Sequence, residues 1–489
     1  MKFRKLLSLA AVLLASLTVS ACGGADGTAG NGNTDVSVSL RGISAPLTDE
    51  TGEIGLGYKI SRIFLDVYAQ GDHNPNVRIN ILNRIKNGDS EVIIDGLEAG
   101  REYVFSVSAY GVRDLMLCSG SDTATITANQ DTEINLTCKF DNETTLRASL
   151  YEIADFFIND NDRTPEKIEA FIADNATFGI ENGLDRAAFI QDALDDDGEF
   201  IPAPLEDVEI ADIQPAAYGK ILKIKIKYED GSYEFHTLRV VKQNGVWKYA
   251  GNGFLYELDI APRTLTAYYP DNHTETYSGI YADVYDMTGN ISYITVTGPK
   301  LPAAGTKMIR STYGGDNFIF QAADNGTAGS GMRLFDKAVY PIDDDNITGI
   351  ADNAAYTFKA YDSNGTLLET RTLNLPVRPF TSTEVTEGHF LKPITAISGI
   401  VTDYKTTDFT ATLSKPAAEH PVFMRATFEA GDNYAMHNFF EKALPVNTSL
   451  HSLTFSTSSV SFTPFSGSFT AKAVFENGRE TLYVRSMTH

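Results

Sequence analysis

At 489 residues, with a formal charge of −24 and 43% hydrophobic residues, the chain is long enough for about three ordinary domains, or four if they are small sandwiches. So large an excess of Asp and Glu repels phosphate backbones and argues against a nucleic-acid partner. Beyond the N-terminal segment no stretch approaches ~18 consecutive apolar residues, so nothing there reads as a membrane-crossing helix.

The N-terminal segment has its own logic. Met1 to Lys5 carries three basic residues and no acid, and Leu6 to Leu17 is a run of Leu, Ala, Val and Ser. That is the layout of a secretory signal peptide, residues 1–21. A spanning helix would need ~20 apolar residues without such small polar breaks. Val19-Ser20-Ala21-Cys22 then resembles the lipobox of bacterial lipoproteins. The resemblance implies cleavage before Cys22 and acylation of that cysteine by fatty acids such as palmitate. Several chains are needed for a lasting anchor, since each buried CH₂ contributes ~0.8 kcal/mol. Gly23 stands where enteric lipoproteins kept in the inner membrane carry aspartate, which by the same analogy implies the outer membrane of a Gram-negative cell. Residues 22–34 are the lipidated cysteine and a Gly-rich tether, GGADGTAGNGNT, with a reach of roughly 20 Å.

Once Cys22 is assigned to lipid, Cys118 and Cys138 remain in an exported, oxidising setting where disulfides persist. They are expected to pair, because a reactive thiol pair would be expected in a CxxC spacing, which this sequence lacks.

Residues 35–140 read as β. DVSVSL, YKISRIFLDVYAQ, VRINIL, EVIIDGL, YVFSVSA, ATITA and EINLTC are short alternating runs separated by turn residues, the signature of a sandwich. Leu97-Glu-Ala-Gly-Arg-Glu-Tyr103 before VFSVSA is similar to the fibronectin type III entry to strand F. The resemblance implies a tyrosine corner, with the Tyr103 hydroxyl bonded to backbone near Leu97.

Residues 141–260 differ. Leu146, Leu150, Ile153 and Phe157 share one helical face, Thr164-Pro165 is a helix start before EKIEAF, and Leu184 to Leu194 is a third helical stretch. In KILKIKIKY, Lys223, Lys225 and Lys227 alternate with Leu222, Ile224, Ile226 and Tyr228, and YEFHTLRVVKQNGVWKYAG is a hairpin turning at Asn-Gly. Three helices before a curved antiparallel sheet resemble the NTF2-like cone, with ADNATFGIENG and NGVWKYAGNG the most similar stretches. That fold includes ketosteroid isomerase, whose carboxylate base would fall on Ile180 here, with Glu181 next to it on the opposite side of a strand. Without the base no proton abstraction follows. Tyr151, Asp155, His236 and Trp247 could line a pocket, or be ordinary core and surface. The acidity concentrates between Glu152 and Asp212 and reads as a solvated face in preference to cation storage. Asp160, Asp162 and Thr164 have calcium-loop spacing, but Pro165 replaces the turn glycine and Phe171 the distal glutamate; Asp195 to Asp197 and Asp343 to Asp345 also lack both. No metal site is expected.

Residues 261–377 and 378–489 read as two further sandwiches. Ile350 lies six before Tyr356, repeating the corner spacing, and FTAKAVFENG (Phe469 to Gly478) aligns with YTFKAYDSNG (Tyr356 to Gly365). Phe469 has no hydroxyl, so a third corner bond is absent. In TYSGIYADVYDM, Ile280, Ala282 and Val284 would face the core and place Tyr277, Tyr281 and Tyr285 on the other face, a stripe that stacks on a glycan or peptide or else packs on a neighbouring strand. No HExxH, GxSxG, phosphate loop or zinc-type cysteine pairing occurs, and no cofactor is expected.

The expected fold class is therefore mainly β and multidomain: Ig/fibronectin-III-like sandwiches plus one α+β NTF2-like cone. The expected role is noncatalytic, presenting surfaces for an envelope protein or polysaccharide from a lipid-anchored position. The alternative is a small-ligand carrier or enzyme using the cone's pocket.

Overall fold

The computed structural model describes residues 34–44, 60–128, 130, 132–159, 163–195, 203–216, 218–269, 273–310, 318–320, 339–394, 409–431, 436–455 and 466–488. The fold is mainly β and multidomain. Cys22, the signal segment and its tether lie outside the described residues, as do Asp160, Asp162, Asp196 and Asp197.

In the N-terminal unit a three-stranded sheet (Glu91–Leu97, Thr34–Ser39, Thr132–Asn135) faces a five-stranded one (Val77–Asn80, Arg62–Ala69, Glu102–Tyr110, Met116–Thr125, Lys139–Phe140). Strict alternation along Glu102–Tyr110 buries Tyr103, Phe105, Val107 and Ala109 against Val36, Val38, Ile63 and Leu65. The Tyr103 hydroxyl accepts the Glu98 N–H at 3.0 Å, the corner bond implied beside Leu97. Cys118 and Cys138 are joined by a disulfide, 20 residues apart in sequence.

The α+β unit begins on the next residues. Asp141 accepts the Thr144 N–H at 2.7 Å at the start of helix Asn142–Asn159, whose Leu146, Leu150, Ile153 and Phe156 are buried. Thr164 caps helix Pro165–Phe171 through the Lys167 N–H, so the threonine of the calcium-like spacing serves a helix end. Helix Arg186–Asp195 follows, then a four-stranded antiparallel sheet ordered Val246–Tyr249, Tyr233–Gln243, Lys220–Tyr228, Leu205–Pro215. Leu222, Ile224, Ile226 and Tyr228 pack under the first helix with Trp247. On the other face Lys225 lies 3.6 Å from the Tyr233 ring centroid and Lys223 4.8 Å from that of Phe235. The turn at Asn244-Gly245 needs φ of 50° and 83°, which Asn and Gly adopt readily.

A seven-stranded sheet dominates the rest: Val339–Pro341, Thr274–Tyr285, Glu257–Tyr268, Glu480–Thr488, Ser466–Phe475, Pro421–Gly431, Met436–Ala443. The expected division at 260/261 falls inside the strand Glu257–Tyr268. That strand and its hairpin partner serve two cores. Leu258, Ile260, Ile280, Ala282 and Val284 face a five-stranded sheet (Phe318–Phe320, Thr306–Arg310, Tyr293–Thr297, Ala354–Tyr361, Leu367–Leu375). Further along, Tyr268 packs with Tyr483, Phe428 and Phe469 beneath a three-stranded sheet (Lys392–Pro393, Phe409–Ser414, Leu450–Phe455). The recurring corner at Tyr356 is corrected by the structure. Its hydroxyl donates to the Pro299 carbonyl at 3.0 Å, not to backbone near Ile350, and a side chain at Gly298 would collide with its ring.

Where Glu257–Tyr268 meets Glu480–Thr488 the pairing is parallel, and Arg263 stands opposite Glu480. Pro262, with no N–H to give, sits just before that ladder starts. Arg263 is 1% exposed and Glu480 4%. Arg263 Nε is 2.7 Å from Glu480 Oε2, a second Arg263 nitrogen also bonds that oxygen, and Lys472 Nζ lies 2.6 Å from Oε1. The guanidinium carbon sits 3.2 Å from the Tyr281 ring centroid.

Burial pushes the Glu480 carboxyl up, but the Arg263 and Lys472 cations outweigh it and hold it at about 2. Because the folded value lies below the ordinary 4.5, this stabilisation is present above pH 4.5 and lost as pH falls toward 2. Glu480→Ala is expected to cost about 3–5 kcal/mol at pH 7 by stranding Arg263, and to flatten acid destabilisation between pH 4.5 and 2; denaturant titrations followed by circular dichroism check both. Replacing Cys118 and Cys138 by serine is expected to cost roughly 3 kcal/mol by the loop-entropy estimate, read from the same titrations.

Candidate functional site

A cleft of about 440 Å³ opens on the seam between the two C-terminal sandwiches. Thr266 and Tyr268 come from the shared strand, and Thr274, Thr276 and Ser278 from its hairpin partner. The connector between the sandwiches supplies Ser382, Thr386, Glu387 and Lys392, and the last strand supplies Tyr483.

The sequence builds this wall by alternation. Thr264 and Thr266 fall opposite Ser278 and Thr276, and their hydroxyls bond at 3.0 and 3.1 Å. The Tyr268 and Tyr483 rings pack with centroids 4.8 Å apart. The connector is pinned from several sides. Arg378 Nη1 pairs with Glu384 at 2.7 Å, and those bonds, against the opposing effect of burial, hold the Glu384 carboxyl at about 2. The Thr481 hydroxyl donates to the His389 carbonyl at 2.8 Å, and Arg479 Nε donates to the Arg378 carbonyl at 3.0 Å. At the rim the Ser382 N–H donates to Asp344 at 2.8 Å, and bonds from Ser382 keep that carboxyl below the usual range. Lys392 is tied to Glu387 at 2.5 Å. Thr274, Thr276, Ser382 and Thr386 are exposed along the cleft, the hydroxyls of the last three bonded to Thr266, Asp344 and His389, with Tyr268, Tyr483 and Phe390 lining it beside them. Such a surface recognises by hydrogen bonds and ring contacts.

The sequence-derived candidates fall elsewhere. Cys118 and Cys138 form the disulfide, and Cys22 is outside the described residues. The Tyr277, Tyr281, Tyr285 stripe is corrected. Tyr281 is 2% exposed beneath Arg263, so the middle of the stripe is closed to any ligand. Tyr277 is half-buried, bonds Glu275 at 2.5 Å and has its hydroxyl pushed up to about 12 by that bond and by burial. Tyr285 is half-buried at the strand end.

In the α+β unit the four residues weighed as a pocket do not converge. Trp247 is buried, Tyr151 packs against the same core under the Arg113 guanidinium, and His236 is exposed beside Glu234. Asp155 lines a separate outer cleft with Glu152 and Phe171. Glu181, neighbour of Ile180, is fastened instead by Tyr249 Oη, the Asn252 N–H at 2.6 Å and Asn252 Nδ2 at 3.1 Å. Burial raises its pKa, and those donors partly counter the rise. Its work is to hold the bend that leaves this unit. Asp343 caps a short helix through the Asn346 N–H, and among the described residues no cluster of three His, Cys, Asp or Glu is arranged to hold a metal ion. No described helix is long and apolar enough to cross a membrane.

The seam cleft was not visible in the sequence, because its lining is drawn from segments spread between Thr266 and Tyr483. The one available signal was the Thr-x-Thr and Thr-x-Thr-x-Ser alternation on the two arms of a hairpin.

No protein-family model and no curated protein matches the chain. Among solved structures, one concerning host-cell-surface retention of a bacterial ice-binding adhesin is 8% identical, covering 94% of this chain and 96% of its own, with a TM-score of 0.15. A Ca²⁺-stabilised adhesin of an Antarctic bacterium is 10% identical, covering 95% and 99%, at 0.16. The FN1–FN3 domains of chicken CNTN1 are 8% identical, covering 88% and 90%, at 0.15. At such scores the likeness says nothing of what this chain does.

Tyr281→Ala is expected to destabilise the protein by about 3–5 kcal/mol, as for other buried large-to-small changes, with Tyr277→Ala costing far less; thermal melts of the two variants check the order.

Proposed function

We propose that the chain is an exported lipoprotein, tethered through Cys22 to the outer membrane of a Gram-negative cell, that binds a protein or polysaccharide partner without catalysis. The observation that carries the binding role is the seam cleft. Its hydroxyl and aromatic wall is assembled from both C-terminal sandwiches and held by bonds within the fold before any ligand arrives, which lowers the ordering cost of binding. Val19-Ser20-Ala21-Cys22 supports the anchor. The domain division we infer is a tether, a sandwich to 140, an NTF2-like α+β unit ending before the strand Glu257–Tyr268, and two sandwiches welded through one sheet. In this reading the α+β unit is a spacer whose interior is filled by Leu150, Leu222, Ile224 and Trp247.

Two measurements test the proposal. Cells fed an alkyne analogue of palmitate are expected to label the wild-type protein, and Cys22→Ala to lose the label and leave the membrane fraction; equal labelling of both would refute the anchor. Purified protein is expected to retain envelope polysaccharide or protein in pull-downs, with Tyr268→Ala and Thr386→Ala each weakening retention at least tenfold while circular dichroism stays unchanged. Unchanged retention in both would remove the cleft from the reading.

A further inference from the structure

A second cleft, of about 500 Å³, lies at the edge of the α+β sheet beside the turn Asn244-Gly245. Three cations line it, Arg186, Lys242 and Lys248, with the carboxylates of Glu169 and Asp174 and the amide of Gln243. Accounting for each group leaves one unmatched. Arg186 pairs with Glu169 at 3.1 Å and donates Nε to the Ala173 carbonyl at 2.8 Å. Asp174 accepts on Oδ1 the N–H groups of Ala176 and Thr177, at 3.1 and 3.0 Å, and the Thr177 hydroxyl at 2.7 Å. Gln243 accepts the Asp174 N–H at 3.2 Å and donates to Thr177. Lys242 reaches a neutral partner, Asn142 Oδ1, at 3.1 Å.

Lys248 is half-buried, and among the described residues its ammonium has neither a hydrogen-bond nor an ion-pair partner. Burial, and after it the Arg186 charge, lowers its pKa, and the Asp174 carboxylate partly counters the fall. A half-buried ammonium with no direct ion pair, compensated only at longer range by the Asp174 carboxylate on the same cleft wall, is unfavourable for the folded state. Solubility does not explain it, since the chain as a whole carries −24. With three cations against two carboxylates, the cleft holds an excess positive charge.

We propose that this cleft is an oxyanion site taking a phosphate-type group, with Lys248 as its principal ligand and Lys242 and Arg186 flanking it. Donors from separate elements suit a multiply charged, tetrahedral anion better than a single carboxylate. The volume leaves room for the body that carries the phosphate. This site is independent of the seam cleft and of the proposed function.

The group could be presented by a soluble phosphorylated molecule or by a phospholipid headgroup, and the test separates them. The full chain is treated briefly with acetic anhydride, and acetylation of Lys248 is quantified by mass spectrometry against exposed Lys359. Pyrophosphate is expected to slow Lys248 acetylation at least fivefold relative to Lys359. Protection instead by phosphatidylglycerol vesicles, and not by phosphatidylcholine vesicles, assigns the group to a lipid headgroup. Protection by neither pyrophosphate nor anionic vesicles overturns the proposal. In calorimetry with pyrophosphate, Lys248→Met is expected to weaken binding at least tenfold and Lys248→Arg to retain it. Should Lys248→Met fail to fold, the labelling of the unaltered chain still decides.

Discussion

The C-terminal half of the molecule depends on one buried ion pair. Removing Arg263 and Glu480 from water carries a large desolvation cost, which their attraction offsets because the guanidinium meets the carboxylate twice and Lys472 takes its other oxygen. The two residues are cross-strand partners in a parallel ladder, so the pair also fixes register. A slip of the Glu480 strand by one residue would carry Glu480 to the face opposite Arg263. Tyr281, stacked on the guanidinium, closes the arrangement from the neighbouring strand.

With that register fixed, the rest of the seam follows. The Glu480–Thr488 strand places Thr481 against His389 and Tyr483 against Tyr268, and Arg479 reaches the connector and lies 4.4 Å from the Phe380 ring centroid. The α+β unit is held to both sandwiches. Glu369 accepts the Leu255 N–H at 2.9 Å, Arg371 donates to the Tyr256 carbonyl at 2.6 Å, and buried Asp230 accepts the Val446 N–H at 3.0 Å. The N-terminal sandwich meets the α+β unit through Leu117 and Ala148 and through Arg113 over Tyr151. The units are clasped to one another by these bonds and contacts.

Local structure was legible where a residue's neighbours in sequence decide its surroundings. The alternation in KILKIKIKY, the cap at Thr164, the Asn244-Gly245 turn and the corner at Tyr103 all arise within a few residues of the signal. Readings that needed distant partners failed. Tyr356 has the corner spacing, yet its hydroxyl goes to Pro299, because the close approach at Gly298 offers a nearer acceptor. The tyrosine stripe followed from period-two alternation, which assumes one wet face. The Glu257–Tyr268 strand beside it is buried on both faces from Ile260 to Ala267, and no local pattern reveals that a strand 217 residues away will pair along its edge. The seam cleft, formed from the same long-range pairing, was hidden for the same reason.

The position of Glu480–Thr488 has a consequence for biogenesis. It follows every other strand of the seven-stranded sheet in sequence order, yet it lies fourth among them, in the middle. Until it is in place the hairpin Glu257–Tyr268/Thr274–Tyr285 and the strands Ser466–Phe475 and Pro421–Gly431 present two open edges with no strand between them. Pairing across so many residues is entropically slow. A chain emerging N-terminus first therefore holds this sheet unfinished until Glu480–Thr488 arrives. The same arrangement makes a prematurely terminated chain a ready target for proteolysis, since its sheet has no way to close.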